Sequence, residues 1–201
     1  MNKDNINDVG IATVKGCVGL IPFVGPLFSE LIGVYTNKKA TKRFEQWAKL
    51  VEERLEKLDK KIDEDNEKFY SAMVKTTQIV AKTHQKEKLE YLANALINSA
   101  DVDFDEELTQ IFLELVERYT LTHIKLLNLY YQTMNGSRKI QSDLINGYFR
   151  DDSSLNIYTN QLFIDGMLGY TNDAEDKTVI MPLGEKFLKF ITINGGVNDE
   201  K

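Results

Sequence analysis

His84 and His123 are the only histidines in the 201-residue chain and Cys17 is its only cysteine, so the side chains best suited to metal binding and nucleophilic attack are few. A zinc site needs three or four close N, S or O ligands, and neither histidine belongs to an H-E-x-x-H or Cys/His spacing. An activated nucleophile needs a neighbouring base; the chain has no G-x-S-x-G elbow, and Cys17 has no accompanying Cys–His–Asp set. Gly16, Gly19, Gly25 and Gly33 do not make G-x-x-x-x-G-K-[ST], and no lysine follows them where a phosphate would need one. Acidic residues are abundant but fall on charged helical faces, which offer no paired-carboxylate chemistry beyond that of any solvated helix. These residues predict a non-enzyme without metal or cofactor, with both histidines at the surface or its boundary.

Residues that could bind a partner stand out more clearly than residues that could catalyse. One set lies in the leader, about residues 9–35. Residues 16–29 are apolar, with three glycines and two prolines, and Leu20, Ile21, Phe23, Val24, Leu27 and Phe28 form its contact surface. Three uses are open to it: packing on the chain's own core, assembly with another subunit, or membrane contact. The 22 residues between Lys15 and Lys38 approach the ~20 that cross a bilayer. Pro22, Pro26 and the charge of Glu30 oppose a continuous span, because a central carboxylate costs about 2.5–3.5 kcal/mol on insertion scales. No cleavage site in the secretory pattern follows the apolar stretch. With one cysteine the chain forms no internal disulfide, and a cytoplasmic location, peripheral at the inner face of the membrane if the leader touches lipid, is the expectation.

The second set is Asn156, Tyr158, Asn160 and Gln161, on a predicted helix near the C-terminus. Apolar positions repeat at helical spacing through most of the chain. Phe44, Trp47, Val51, Leu55, Leu58 and Ile62 predict one long amphipathic helix, with oriented pairs Glu45–Lys49, Glu53–Lys57 and Glu56–Lys60 on its charged side. Phe69, Met73, Thr76 and Val80 predict the next, and Leu89, Leu92, Leu96 and Ile97 a third ending near Ser99. Asp103 with Glu106 reads as a capping box that opens a helix through Leu108, Ile111, Phe112, Leu115 and Tyr119. After residue 120 the elements shorten. Ile124, Leu127 and Tyr131 predict a helix ending near Asn135-Gly136, Ile140, Leu144 and Ile145 a second, and Leu155, Tyr158 and Leu162 a third that stops at Gly166. Met167–Tyr170 and Lys177–Met181 flank a polar turn, and Leu183–Ile191 returns to helix.

The predicted fold is therefore mainly α. Residues 1–120 form a helical domain with the apolar leader, residues 121–193 a winged-helix-like domain with a small β-hairpin, and 194–201 a tail. Leu162-x-x-x-Gly166-Met-Leu, the polar hairpin and Pro182-Leu-Gly-Glu-Lys-Phe-Leu resemble the ending of many winged-helix domains. The apolar leader, the charged helix, Leu89-Glu-Tyr-Leu-Ala-Asn-Ala-Leu-Ile-Asn-Ser and Thr122-His-Ile-Lys-Leu-Leu together resemble the Abi-alpha-like family of bacterial proteins. That resemblance implies a context of abortive phage infection and names no activity.

A winged helix implies DNA, with its third helix in the major groove and cations on the flanking phosphates. The charge pattern points elsewhere. The net charge is −6, and residues 119–192 hold seven Lys/Arg against eight Asp/Glu. Residues 153–165 contain no Arg or Lys, and Asp173, Glu175 and Asp176 crowd the turn. A protein partner, or a second copy of the chain, is expected ahead of specific DNA. A dimeric winged-helix transcriptional regulator is the alternative.

Overall fold

The computed structural model describes residues 38–57, 62, 66–133, 155–171 and 178–193. The leader with Leu20, Ile21, Phe23, Val24, Leu27 and Phe28 lies outside the described residues, as do residues 58–61 and 63–65, residues 134–154 with the predicted helix through Ile140, Leu144 and Ile145, residues 172–177 and the tail. The fold is mainly helical with a small antiparallel hairpin. The chain divides into two compact units, Met1–Glu117 and Arg118–Lys201.

In the first unit, α1 (Lys38–Leu55), α2 (Glu67–Lys82) and α3 (Glu87–Asn98) pack on one another, followed by α4 (Glu106–Arg118). Helix α1 buries Ala40, Phe44, Trp47, Ala48 and Val51 at intervals that keep one face inward, and the Trp47 ring meets Phe44 edge-on at 5.6 Å. It is shorter than its sequence pattern. The helix ends at Leu55, which is half-buried, and Ile62 stands outside any helix. Glu56 and Lys57, which follow it, are exposed, and charge pairs worth about 0.2–0.5 kcal/mol each do not by themselves sustain a helix; Leu58 of the predicted stripe lies outside the described residues.

Helix α2 follows the predicted spacing, with Phe69, Met73, Thr76 and Val80 all buried. The Asn66 side chain caps it by accepting the Phe69 N–H at 2.9 Å. Helix α4 corrects two expectations. Its cap is Asp105, whose carboxylate accepts the Leu108 N–H at 2.7 Å, whereas Asp103 turns its own N–H to the Asp101 carboxylate at 3.1 Å. The shift of two residues follows from Phe104, which is buried immediately before the cap and meets Phe112 at 6.3 Å. Ile111, expected inside, is 51% exposed, because Phe112, Leu113, Leu115 and Val116 already fill the inner face. Contacts between α2 and α4 advance together along both helices: Ser71 with Gln110 at 2.9 Å, Lys75 with Glu114 at 3.3 Å, Lys82 with Glu117 at 3.3 Å. The two helices therefore run in the same direction.

In the second unit, α5 (Leu121–Gln132) lies at the centre, packed by α6 (Leu155–Ile164), by β2 (Thr178–Ile180) and by α7 (Pro182–Ile191). Helix α5 ends at Gln132, short of the expected Asn135-Gly136. Tyr130 is buried and Tyr131 half-buried, so Tyr131 is not the inward residue that the sequence suggested. A helix covered by several elements buries nearly its whole circumference and leaves no single stripe to read. Strand β1 (Leu168–Tyr170) pairs antiparallel with β2, Leu168 opposite Ile180 and Tyr170 opposite Thr178. Leu162, Leu168 and Phe187 are buried in the core of this unit.

Candidate functional site

The Gly166 turn sets the geometry of the second unit. Gly166 has φ +71°, the left-handed conformation that ends many helices. The Met167 N–H donates to the Leu162 carbonyl at 2.9 Å and the Gly166 N–H to the Phe163 carbonyl at 3.0 Å, the paired bonds of a Schellman cap. Met167 and Leu162, the two positions whose apolar side chains commonly accompany such a cap, are both fully buried. Asp165 is consequently held immediately after α6, between its last residue and the glycine turn.

A carboxylate at a helix C-terminus opposes the helix dipole and requires compensation. Asp165 receives it from three donors. The Arg118 guanidinium donates at 2.7 Å, the Tyr119 hydroxyl at 2.8 Å and the Gln161 amide at 3.0 Å. Tyr119 is fully buried, its ring edge against Phe187 at 5.6 Å. Burial, reinforced by the Asp165 carboxylate, raises its hydroxyl far above the usual tyrosine range.

His123 joins the same cluster. Its ring stacks on Tyr119, centroids 5.0 Å apart and nearly parallel, and takes the edge of Tyr158 at 4.9 Å. Its Nδ1 accepts the Thr120 N–H at 3.1 Å and so caps the start of α5. The expected position of His123 at the surface or its boundary is corrected: the residue is buried, its ring enclosed between Tyr119 and Tyr158 on a helix that buries most of its circumference. His84 is exposed. The three donors tie the end of α6 to Arg118, Tyr119 and Gln161 and so hold the helix in place. Among the described residues, no group of three or more His, Cys, Asp or Glu is placed to hold a metal ion.

The four residues assigned to the partner-binding helix divide into two pairs. Asn156 and Asn160 are exposed. Tyr158 and Gln161 are half-buried and turn to the unit's own cluster, Tyr158 against His123 and Gln161 against Asp165. The outer face gains two residues that sequence reading missed, Ile157, 67% exposed, and Ile164, 78% exposed. At the helical repeat, Asn156, Asn160, Ile164 and Ile157 fall within an arc of about 100°. No residue of α6 is charged. The missed signal was that Leu155, Tyr158 and Leu162 already satisfy an inner face, which leaves Ile157 and Ile164 to point away from it.

Among the described residues, no helix is long and apolar enough to cross a membrane. No family model matches the chain, and neither does any curated protein or solved structure.

Proposed function

We propose that the chain is a non-enzymatic interaction protein whose C-terminal unit binds a protein partner, or a second copy of itself, through the outer face of α6. The observation that carries this reading is the uncharged face on which Ile157 and Ile164 stand exposed beside Asn156 and Asn160. Interfaces are depleted of charge at their centres, and an exposed apolar pair framed by amides has that composition. The leader, with Leu20, Ile21, Phe23, Val24, Leu27 and Phe28, supplies assembly or membrane contact in this scheme. The order of segments that resembles the Abi-alpha-like family supports a setting in phage defence.

Exposed Asn156 and Asn160 also favour a second reading, a dimeric transcriptional regulator, since amide side chains on such a helix can read adenine. One experiment separates the two. Full-length protein carrying Ile157→Asp and Ile164→Asp is compared with wild type by sedimentation velocity and by DNA binding across a salt series. The interaction reading expects self-association or partner binding to be lost with the melting temperature unchanged, and no salt-dependent specific DNA complex. Site-specific DNA binding with a steep salt slope would establish the regulator instead.

A further inference from the structure

We infer that the outer face of α6 takes a second copy of this chain, its own α6 laid antiparallel about a two-fold axis at Asn160, an assignment that rests on the reading of that face as an interaction surface. Ile157, Asn160 and Ile164 are all exposed and are separated by three and then four residues, the repeat that forms a seam between paired helices. At the helical repeat they lie within an arc of about 60°. One stripe therefore runs along the helix, with an amide between two isoleucines.

That stripe is self-complementary. In a two-fold dimer, residue i meets residue j and j meets i. The midpoint between Ile157 and Ile164 falls beside Asn160, so antiparallel copies set Ile157 of each against Ile164 of the other and Asn160 against Asn160. An amide carries both donor and acceptor, so two copies of it satisfy each other. A purely apolar partner would leave the same amide buried without a hydrogen bond, which is costly.

Charge selects the same occupant. The chain carries a net charge of −6, so two copies repel unless they meet through a surface free of like charge. Helix α6 has no charged residue, and neither does β1 or β2. Tyr170 of β1, 59% exposed and stacked on Phe163 at 4.7 Å, widens the uncharged face on one side. Asp165 follows the helix, and its carboxylate is engaged by Arg118, Tyr119 and Gln161. Antiparallel pairing sends the two Asp165 turns to opposite ends of the seam and opposes the helix dipoles, whereas parallel pairing would bring the turns together. A ten-residue helix is about 15 Å long, so the contact is smaller than a standard interface and the dimer dissociates on dilution.

The test uses the full-length chain with Cys17→Ser, which removes its only native thiol. Ile157→Cys and Ile164→Cys are oxidised separately and as an equimolar mixture. Across the antiparallel seam position 157 meets position 164, whereas two copies of either position stand about 10 Å apart along the axis, beyond the roughly 7 Å between Cα atoms that a disulfide tolerates. The mixture should give a linked dimer and each variant alone none, while Asn160→Cys should link with itself. In sedimentation velocity the parent protein should dimerise as its concentration rises, and Asn160→Asp, which sets two carboxylates on the axis, should abolish this. Self-linking of Ile157→Cys, or a dimer whose mixture does not link, overturns the inference. The parent's own Ile157 and Ile164 methyl signals decide if a variant does not fold: a soluble paramagnetic agent should reach them less as concentration rises. A chain that stays monomeric throughout overturns the second copy. Methyls open to the agent in that monomer leave the face to a different protein, whereas methyls shielded in it mean that the chain covers its own face, and the interaction reading falls too.

Discussion

The two units are held by opposite arrangements of charge. In the first, cations reach carbonyl oxygens at the ends of helices and in the loop between them. Arg43 donates to Ala81 at 2.9 Å, Lys88 to Glu117 at 3.0 Å, and Lys68 to Asp101 at 2.7 Å. Arg54 joins α1 to Asn94 and Glu90 of α3. These ties decorate an apolar core of long amphipathic helices. In the second unit the elements are shorter, and one carboxylate, Asp165, gathers donors from more than 45 residues earlier in the chain. The difference implies that the first unit depends on buried apolar volume spread over many side chains, whereas the second depends on a few residues at its N-terminal edge and at one turn.

The sharpest way to break this comparison is to move the boundary. A fragment of residues 118–193 retains Arg118 and Tyr119; one of residues 121–193 does not. Loss of a fully buried aromatic side chain costs about 3–5 kcal/mol, comparable to the whole stability of a small domain. Dispersed amide spectra are expected for the longer fragment and collapsed spectra for the shorter. Equal dispersion would show that Asp165 does not depend on its distant donors.

For the first unit the corresponding change is Trp47→Ala, expected to lower stability by about 3–5 kcal/mol in urea denaturation. Leu55→Asp, at the half-buried last residue of α1, should cost far less. If the two cost the same, the core does not centre on Trp47. In the second unit, Gly166→Ala should cost about 1–2 kcal/mol. The new Cβ would lie 3.8 Å from its nearest neighbour, Leu183, so the effect isolates the left-handed backbone from any clash. Gly184→Ala provides the contrast, since its Cβ would fall 2.5 Å from the Met167 carbonyl oxygen and force β1 and α7 apart.

Alkaline titration sharpens the comparison with the smallest effect. Burial raises Tyr119 and Tyr130, so the stability each contributes is complete below the ordinary tyrosine value near ~10 and is lost as the pH climbs past it. Lys88 has the opposite sign. Burial lowers it from 10.5, only partly offset by the charge of Glu117, so its contribution is complete above that value and is lost as the pH falls. Between about pH 9 and pH 11, the second unit should weaken while the first gains slightly. Tyrosinate absorbance followed alongside thermal melts checks this, and Tyr119→Phe should flatten the loss.

The sequence by itself determined the helices that have one inner and one outer face. The spacing of Phe69, Met73, Thr76 and Val80 places all four inside α2, and Leu162-x-x-x-Gly166-Met-Leu carries a complete helix cap in seven residues, because period and cap are local properties of the chain. It could not place His123 or assign an inner face to α5, since a helix that buries most of its circumference has no distinguishing stripe. Nor could it show that Tyr158 and Gln161 turn inward while Ile157 and Ile164 turn out. Those orientations depend on Arg118 and Tyr119 meeting Asp165 across a separation of 46 or 47 residues, a pairing that no short-range pattern encodes. Tertiary structure decided it by bringing one partly buried carboxylate to donors that only the folded chain can supply.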